Sequence, residues 1–153
     1  MSLRRILVQE ADFDAGAELA RLADEAVGGI GSFVGIVRVR REDGRRVAAL
    51  TLEHYPDMTQ AAMTRIVAEA ERRWELTGCT LIHRVGRLLP GANIVFVAAA
   101  SPHRQAALEA TAFLIDWLKT QAPFWKAETF ETGETEWVAP RDEDDAAVAA
   151  WQR

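Results

Sequence analysis

Hydrophobic and polar positions alternate along this chain in two rhythms. Arg4 to Gln9 predicts a short strand, and Ile30 to Arg40, IGSFVGIVRVR, predicts a longer one rich in β-branched and aromatic residues. Gly35 interrupts that run, which points to a bulge or a close backbone approach. Arg41 to Arg46, REDGRR, carries the hairpin dipeptide Asp43-Gly44 and predicts a turn, with Val47 to Glu53 as the returning strand. Thr80 to Arg87 predicts a strand bearing His83-Arg84, followed by a turn at Pro90-Gly91. Asn93 to Ala100 is a near-continuous apolar run, the pattern of a central strand covered on both faces. Ala127 to Val138 predicts one or two short strands around Thr132-Gly133-Glu134.

Between these runs the period lengthens to that of a helix. Asp12 or Asp14 can cap a helix through Val27, ended by Gly28 and Gly29. Asp57, with Gln60 three residues later, gives a capping-box-like start to a helix through about Leu76, with Ala62, Ile66, Ala70 and Trp74 as its apolar stripe. Ser101 is placed to cap a third helix, Pro102 to Gln121, that stops before Pro123. Ala106, Ala107, Ala110, Phe113, Leu114, Trp117 and Leu118 form its core face, and Lys119 falls on the opposite side of the wheel from Ala110. The tail RDEDDAAVAAWQR is a charge run followed by an alanine-rich piece, expected as a terminal helix or a partly mobile end.

Mixed strands and helices with a hairpin predict one α+β domain rather than a doubly wound parallel sheet. The division expected is a domain over 1–140 and a C-terminal tail over 141–153. The 153 residues suffice for a real core, and 49% apolar with 27% charged residues is ordinary for a globular protein. The net charge of −5 gives no support to nucleic-acid or anionic-membrane binding, so an anion site must be a local cluster of cations. No run approaches the roughly 20 apolar residues of a membrane helix. The N-terminus has only a short apolar run before Glu10 and Asp12, unlike a signal peptide, so a cytoplasmic setting is expected. Cys79 is the only cysteine, which excludes an intramolecular disulfide and predicts a buried, inert thiol.

His54, His83 and His103 have no metal-ligand spacing, and the glycines form neither GxGxxG nor a Walker loop. Neither a metal nor a cofactor is expected. What remains is basic. Arg38, Arg40 and Arg41 sit at a strand end, where a solvated hairpin tip is the plainer reading. His83-Arg84 is equally a strand end with one buried side chain or part of a site. His103 and Arg104 occupy the first turn of a helix, where N–H groups and the dipole favour an anion. Lys119 ends that helix, and Lys126 follows the break beside Phe124 and Trp125, which can wall a pocket. Together these residues suggest a site for a phosphate- or carboxylate-bearing anion, where a lysine serves as acid, base or point charge.

Five blocks in order carry a resemblance: FVGIVR at 33–38, LEHYPDMT at 52–59, HRVGRLLPG at 83–91, SPHRQAALEA at 101–110 and LKTQAPFWKAE at 118–128. The chain resembles the catalytic (large) subunit family of molybdopterin synthase from about Ala11 to its end. The resemblance implies an α/β-hammerhead-like fold. It implies a homodimer within a heterotetramer, each end binding a small ubiquitin-like sulfur carrier whose C-terminal Gly-Gly holds sulfur as a thiocarboxylate. The implied reaction puts two sulfurs into cyclic pyranopterin monophosphate to make the dithiolene of molybdopterin, a step in molybdenum cofactor biosynthesis. A partner that supplies the sulfur agrees with a chain that lacks a reactive cysteine.

By position, the resemblance implies that Lys119 and Lys126 are catalytic, and that Arg38, His103, Arg104 and Glu128 bind substrate. Ala127 stands where many members have a basic residue, so the contact expected there is with its backbone. The turn VRREDGRR also departs from the family's Asn-His-rich pattern. Two other readings are a non-catalytic carrier-binding module and a small RNA-binding domain using the basic hairpin Arg38–Arg46. Both lysines argue against the first, and the acidic composition argues against the second.

Overall fold

The computed structural model describes residues 2–138 and 142–151. Along the chain run β1 (Leu3–Gln9), α1 (Ala15–Leu22), β2 (Gly29–Ile36), β3 (Val47–His54), α2 (Pro56–Arg73) and β4 (Gly78–Arg84). They are followed by β5 (Gly86–Leu88), β6 (Asn93–Ser101), α3 (Arg104–Gln121), β7 (Phe124–Phe130), β8 (Thr135–Trp137) and α4 (Asp142–Ala149). The described strands form two four-stranded sheets, ordered β1-β4-β6-β2 and β5-β3-β7-β8. Among the described strands only β1 and β4 pair in parallel; the other pairs are antiparallel. The α+β expectation holds.

The apolar run 93–101 is central because both faces of its sheet are covered. Val95, Val97 and Ala99 point into the main core, against Met63, Ile66 and Val67 of α2 and Ala110, Phe113 and Leu114 of α3. Phe96, Ala98 and Ala100 point the other way, into a smaller cluster with Leu22 of α1. Period-two alternation thus feeds two cores and leaves no polar face. Cys79 is fully buried in the main core, where burial pushes its thiol up to about 12, so it is an inert packing residue.

Several boundaries differ from those the sequence predicts, each for a local reason. α1 stops at Leu22 because the Asp24 carboxylate takes the backbone N–H of Ala26, offering the chain a turn in place of a further helical one. At its start Asp14 is the cap, accepting from Ala17 N–H at 3.0 Å. α2 is capped at Tyr55 without a side-chain bond, with Pro56 in its first turn, so the Asp57–Gln60 capping box does not form. α3 begins at Arg104 with His103 as its N-cap, not with Ser101. Ser101 belongs to β6: its hydroxyl donates to Glu75 O at 2.7 Å and accepts from His103 N–H at 3.1 Å. Its carbonyl accepts from Gly28 N–H, and a Cβ at Gly28 would stand 2.0 Å from Pro102 O. Strand pairing at that junction therefore outcompetes the cap.

The segment from Val37 to Arg46 is the largest departure. β2 ends at Ile36, after a register shift at Gly35/Ile36 that confirms the bulge. The chain then crosses to the other sheet, with Val37 N–H bonded to Ala92 O and Val47 N–H to Val39 O. Asp43-Gly44 does turn the chain, with Gly44 at φ +89, but the hairpin is a single bridge, Arg40 to Arg46. β3 does not return along β2; it pairs with β5 and β7. The strand expected to reach Arg40 is thus a short strand and a crossing that delivers Arg38 to the seam between the sheets.

The chain's far end packs on the core. Val148 is buried, and the Trp151 indole donates to Asp116 at 2.8 Å and lies edge-on to Phe113. The boundary expected between 140 and 141 lies outside the described residues. Among the described residues no helix is long and apolar enough to cross a membrane.

A candidate active-site groove between the two sheets

Three segments meet at the seam. The first is the end of β2 and its crossing, from Phe33 to Arg38. The second is the last turn of α3, where Pro123 forces Ala122 out of helical geometry just after Lys119. The third is β7, which begins at Phe124 directly after the break. The alternation of β7 turns Lys126 and Glu128 to one face and Trp125 and Ala127 to the other. These segments border a groove of about 280 Å³ lined by Val34, Ile36, Leu50, Ile94, Arg38, Lys119, Lys126 and Glu128, among others. Its size is close to the roughly 300 Å³ at which small-molecule sites begin, and apolar walls with a few charges are their usual make-up.

Four of the seven expected site residues therefore share the groove: Arg38, Lys119, Lys126 and Glu128. Ala127 does not line it. Its side chain is buried on the opposite face, and β7 is paired there on both sides, with Thr51 and with Trp137. Trp125 also faces away, edge-on to Tyr55 at 4.7 Å; Phe124 walls a small adjoining cavity instead. His103 and Arg104 are exposed at the opposite end of α3. Fifteen residues separate Arg104 from Lys119, roughly 22 Å along the axis, so one chain does not bring this pair into its own groove. His103 Nε2 lies 3.5 Å from Glu75.

The electrostatics separate the groove from the basic turn above it. Arg41 pairs with Glu128 at 3.6 Å and Glu136 at 3.1 Å; Arg45 pairs with Asp43 and Glu136 and stacks on Phe130 at 4.0 Å; Arg46 pairs with Glu131. The charges of Arg41, Arg45 and Arg46 are thus offset by acids of β7, β8, the loop between them and the turn itself. Among the described residues neither Arg38 nor Lys119 forms an ion pair. Both lysines of the chain lie in this groove, and every other Lys/Arg cation is an arginine. Composition alone carried that signal. Arginine stays protonated, whereas an ammonium can give up a proton, so a chain that otherwise uses arginine places lysine where the difference counts.

His83, at the end of β4, is the residue the sequence left open. It is buried, stacks on Phe124 at 3.8 Å, and its Nδ1 lies 2.8 Å from Arg84 O. It lines a cavity of about 30 Å³ with Lys119, Lys126, Leu118 and Phe124. Burial, with the two lysines and His54 adding to it, lowers its pKa to about 3, so the ring is neutral at ordinary pH.

The model of the MoaE protein family matches residues 8–121. The chain belongs to the MoaE protein family. It is 50% identical to the molybdopterin synthase catalytic subunit of Pseudomonas aeruginosa over 96% of this chain and 98% of that one. Among solved structures, a MoaE molybdopterin biosynthesis protein from Burkholderia ambifaria superposes with a TM-score of 0.82 at 46% identity, covering 99% of each chain. The molybdopterin synthase of Staphylococcus aureus superposes at 0.79 with 27% identity, over 88% of this chain and 96% of that one. This MoaE chain thus has its family's fold over almost all of its length.

Proposed function

We propose that this MoaE chain is the catalytic subunit of molybdopterin synthase and that the Lys119–Lys126 groove is where sulfur is transferred. The observation that carries the residue assignment is the convergence of the chain's two lysines, with Arg38, on one partly apolar cleft. Both participants in the reaction are anions: the pterin carries a cyclic phosphate, and the carrier ends in a thiocarboxylate. Cations held against apolar walls stabilise such groups far better than cations in water. The carrier's sulfur forms a bond to a side-chain carbon of the pterin as that carbon's bond to oxygen breaks, the oxygen taking up a proton to leave as water or leaving as a phosphate oxygen. Water then cleaves the bond between that sulfur and the carrier's acyl carbon, which leaves as a carboxylate. Two such transfers complete the dithiolene. Lys119 and Lys126 orient the sulfur and move protons, Arg38 holds phosphate, and Glu128 anchors the Arg41 turn beside the groove. Ala127 is left with a backbone role in holding β7.

A catalytic subunit needs its second subunit, and the partner we propose is a small ubiquitin-like carrier ending in Gly-Gly thiocarboxylate, in a cytoplasmic heterotetramer. A homodimer accounts for His103 and Arg104: too far from their own groove, they serve that of the second copy. β2 supports this reading, since it is an edge strand that leaves Phe33 41% and Ile36 52% exposed. The RNA-binding alternative loses its footing in the paired arginines of the turn. We propose 1–140 as the synthase domain and 141–153 as a tail, with Val148 and Trp151 of that tail packed back on the domain.

Reconstitution tests the function. The chain, a thiocarboxylated carrier and cyclic pyranopterin monophosphate should together yield molybdopterin, read as its fluorescent oxidation product. Carrier binding without product would make the chain a binding module.

A further inference from the structure

His83 has no place in the mechanism above, yet it is buried beside both lysines. Its ring is held twice. Phe124 stacks on it at 3.8 Å and 17° between planes, and the Arg84 carbonyl lies 2.8 Å from Nδ1. A carbonyl oxygen only accepts, so Nδ1 carries the proton and donates it. The tautomer is thereby set, and Nε2, on the far edge of the ring, keeps a lone pair. The cavity bordered by His83, Lys119 and Lys126 has about 30 Å³, room enough for a water. The charged and titratable groups facing the ring are Lys119 from α3, Lys126 from β7 and His54 from β3, the last stacked on the same Phe124 at 6.1 Å.

We infer that His83 is a positioning residue for the lysine pair: its fixed ring turns an unprotonated Nε2 into that cavity and accepts a hydrogen bond from an ammonium, directly or through one water. The inference rests on the groove being the site of sulfur transfer. His83 is too weakly basic to keep a lysine's proton, so it orients an ammonium and does not deprotonate it. The backbone carbonyl and the aromatic face serve one end: a neutral acceptor with no freedom to turn, where a second cation would repel the lysines.

The test uses the full chain with its carrier. His83→Phe keeps the stack and removes the acceptor. His83→Gln places an amide oxygen near the position of Nε2. Lysine Nζ resonances are read in [15N]lysine-labelled protein, where the chain's two lysines give two signals. His83→Phe should move at least one signal and speed its proton exchange, and lower kcat roughly tenfold with KM for the pterin nearly unchanged. His83→Gln should restore both. In the unsubstituted protein, ring 15N shifts should report a protonated Nδ1 and a bare Nε2, a reading that does not depend on any variant folding. A protonated Nε2, or lysine signals unmoved in His83→Phe, would overturn the inference. The lysine signals need no turnover, so they remain readable if the proposed function fails; wild-type rates in both Lys119→Ala and Lys126→Ala would sink that function alone.

Discussion

At the scale of single residues, context decides chemistry more than residue type. Arg38 and Arg41 stand three apart in one basic segment, yet Arg41 is spent on Glu128 and Glu136 while Arg38 lines the groove without an ion pair among the described residues. His83 and His103 both precede an arginine; one is buried and neutral, the other exposed beside Glu75. The burial of His83 has a consequence for acid stability. Its folded pKa of about 3 lies below the usual histidine value, so the unfolded chain binds the proton first. Stability is therefore full above about pH 6.5 and is lost as pH falls from there toward 3, by at most about 1.4 kcal/mol per pH unit from this one group. Urea midpoints at pH 6.5 and 4.5 check this: His83→Phe should show a visibly smaller acid loss than the unsubstituted chain. An identical loss would mean that the ring is already reached by water. Sequence could name His83 as half of a strand-end pair, but its partners, Phe124 and the lysines, are 36 or more positions away.

Elements were legible where a local period or breaker governs them. The central strand 93–101, the stop before Pro123, the bulge at Gly35 and the turns at Gly44 and Gly91 all follow from the sequence. The starts of α2 and α3 did not, because a cap is only a local preference of about 1 kcal/mol and tertiary pairing can exceed it. Ser101 illustrates the conflict, its hydroxyl shared between Glu75 O and His103 N–H and its carbonyl taken by Gly28. That junction sets where α3 begins, and so where His103 and Arg104 stand. Gly28→Ala should cost about 1–3 kcal/mol, the usual range for overpacking, because its new Cβ collides with the Pro102 carbonyl. Thermal unfolding measures it; an unchanged Tm would show that the junction gives way freely. The hairpin read from Asp43-Gly44 failed for a related reason. The dipeptide specifies a turn, but the strands it joins are claimed by different sheets.

For the whole molecule, the groove was legible in its chemistry and not in its geometry. The resemblance placed Arg38, Lys119, Lys126 and Glu128 in one functional set, and the fold gathers them at the seam of two sheets. The same set included His103 and Arg104, which the length of α3 keeps away. A site shared between two copies reconciles these facts and makes a sharp prediction. Lys119→Ala and Arg104→Ala, each inactive alone, should complement when unfolded and refolded together. Random pairing about a two-fold axis gives one intact groove in half of the dimers, so roughly a quarter of the wild-type sites return. No recovery would place Arg104 outside the groove's chemistry.

We propose that Lys119 acts on the sulfur and does not hold the fold together. It is exposed at the end of α3, on a helix already anchored by Leu114 and Leu118, so Lys119→Ala should change stability by no more than about 0.5 kcal/mol. The decisive measurement is a single-turnover assay with thiocarboxylated carrier and cyclic pyranopterin monophosphate. It is run on Lys119→Ala protein whose fold, dimerisation and carrier affinity have been verified. Carrier should bind as before, and most sulfur transfer should be lost. Molybdopterin formed by Lys119→Ala at the wild-type rate would contradict it.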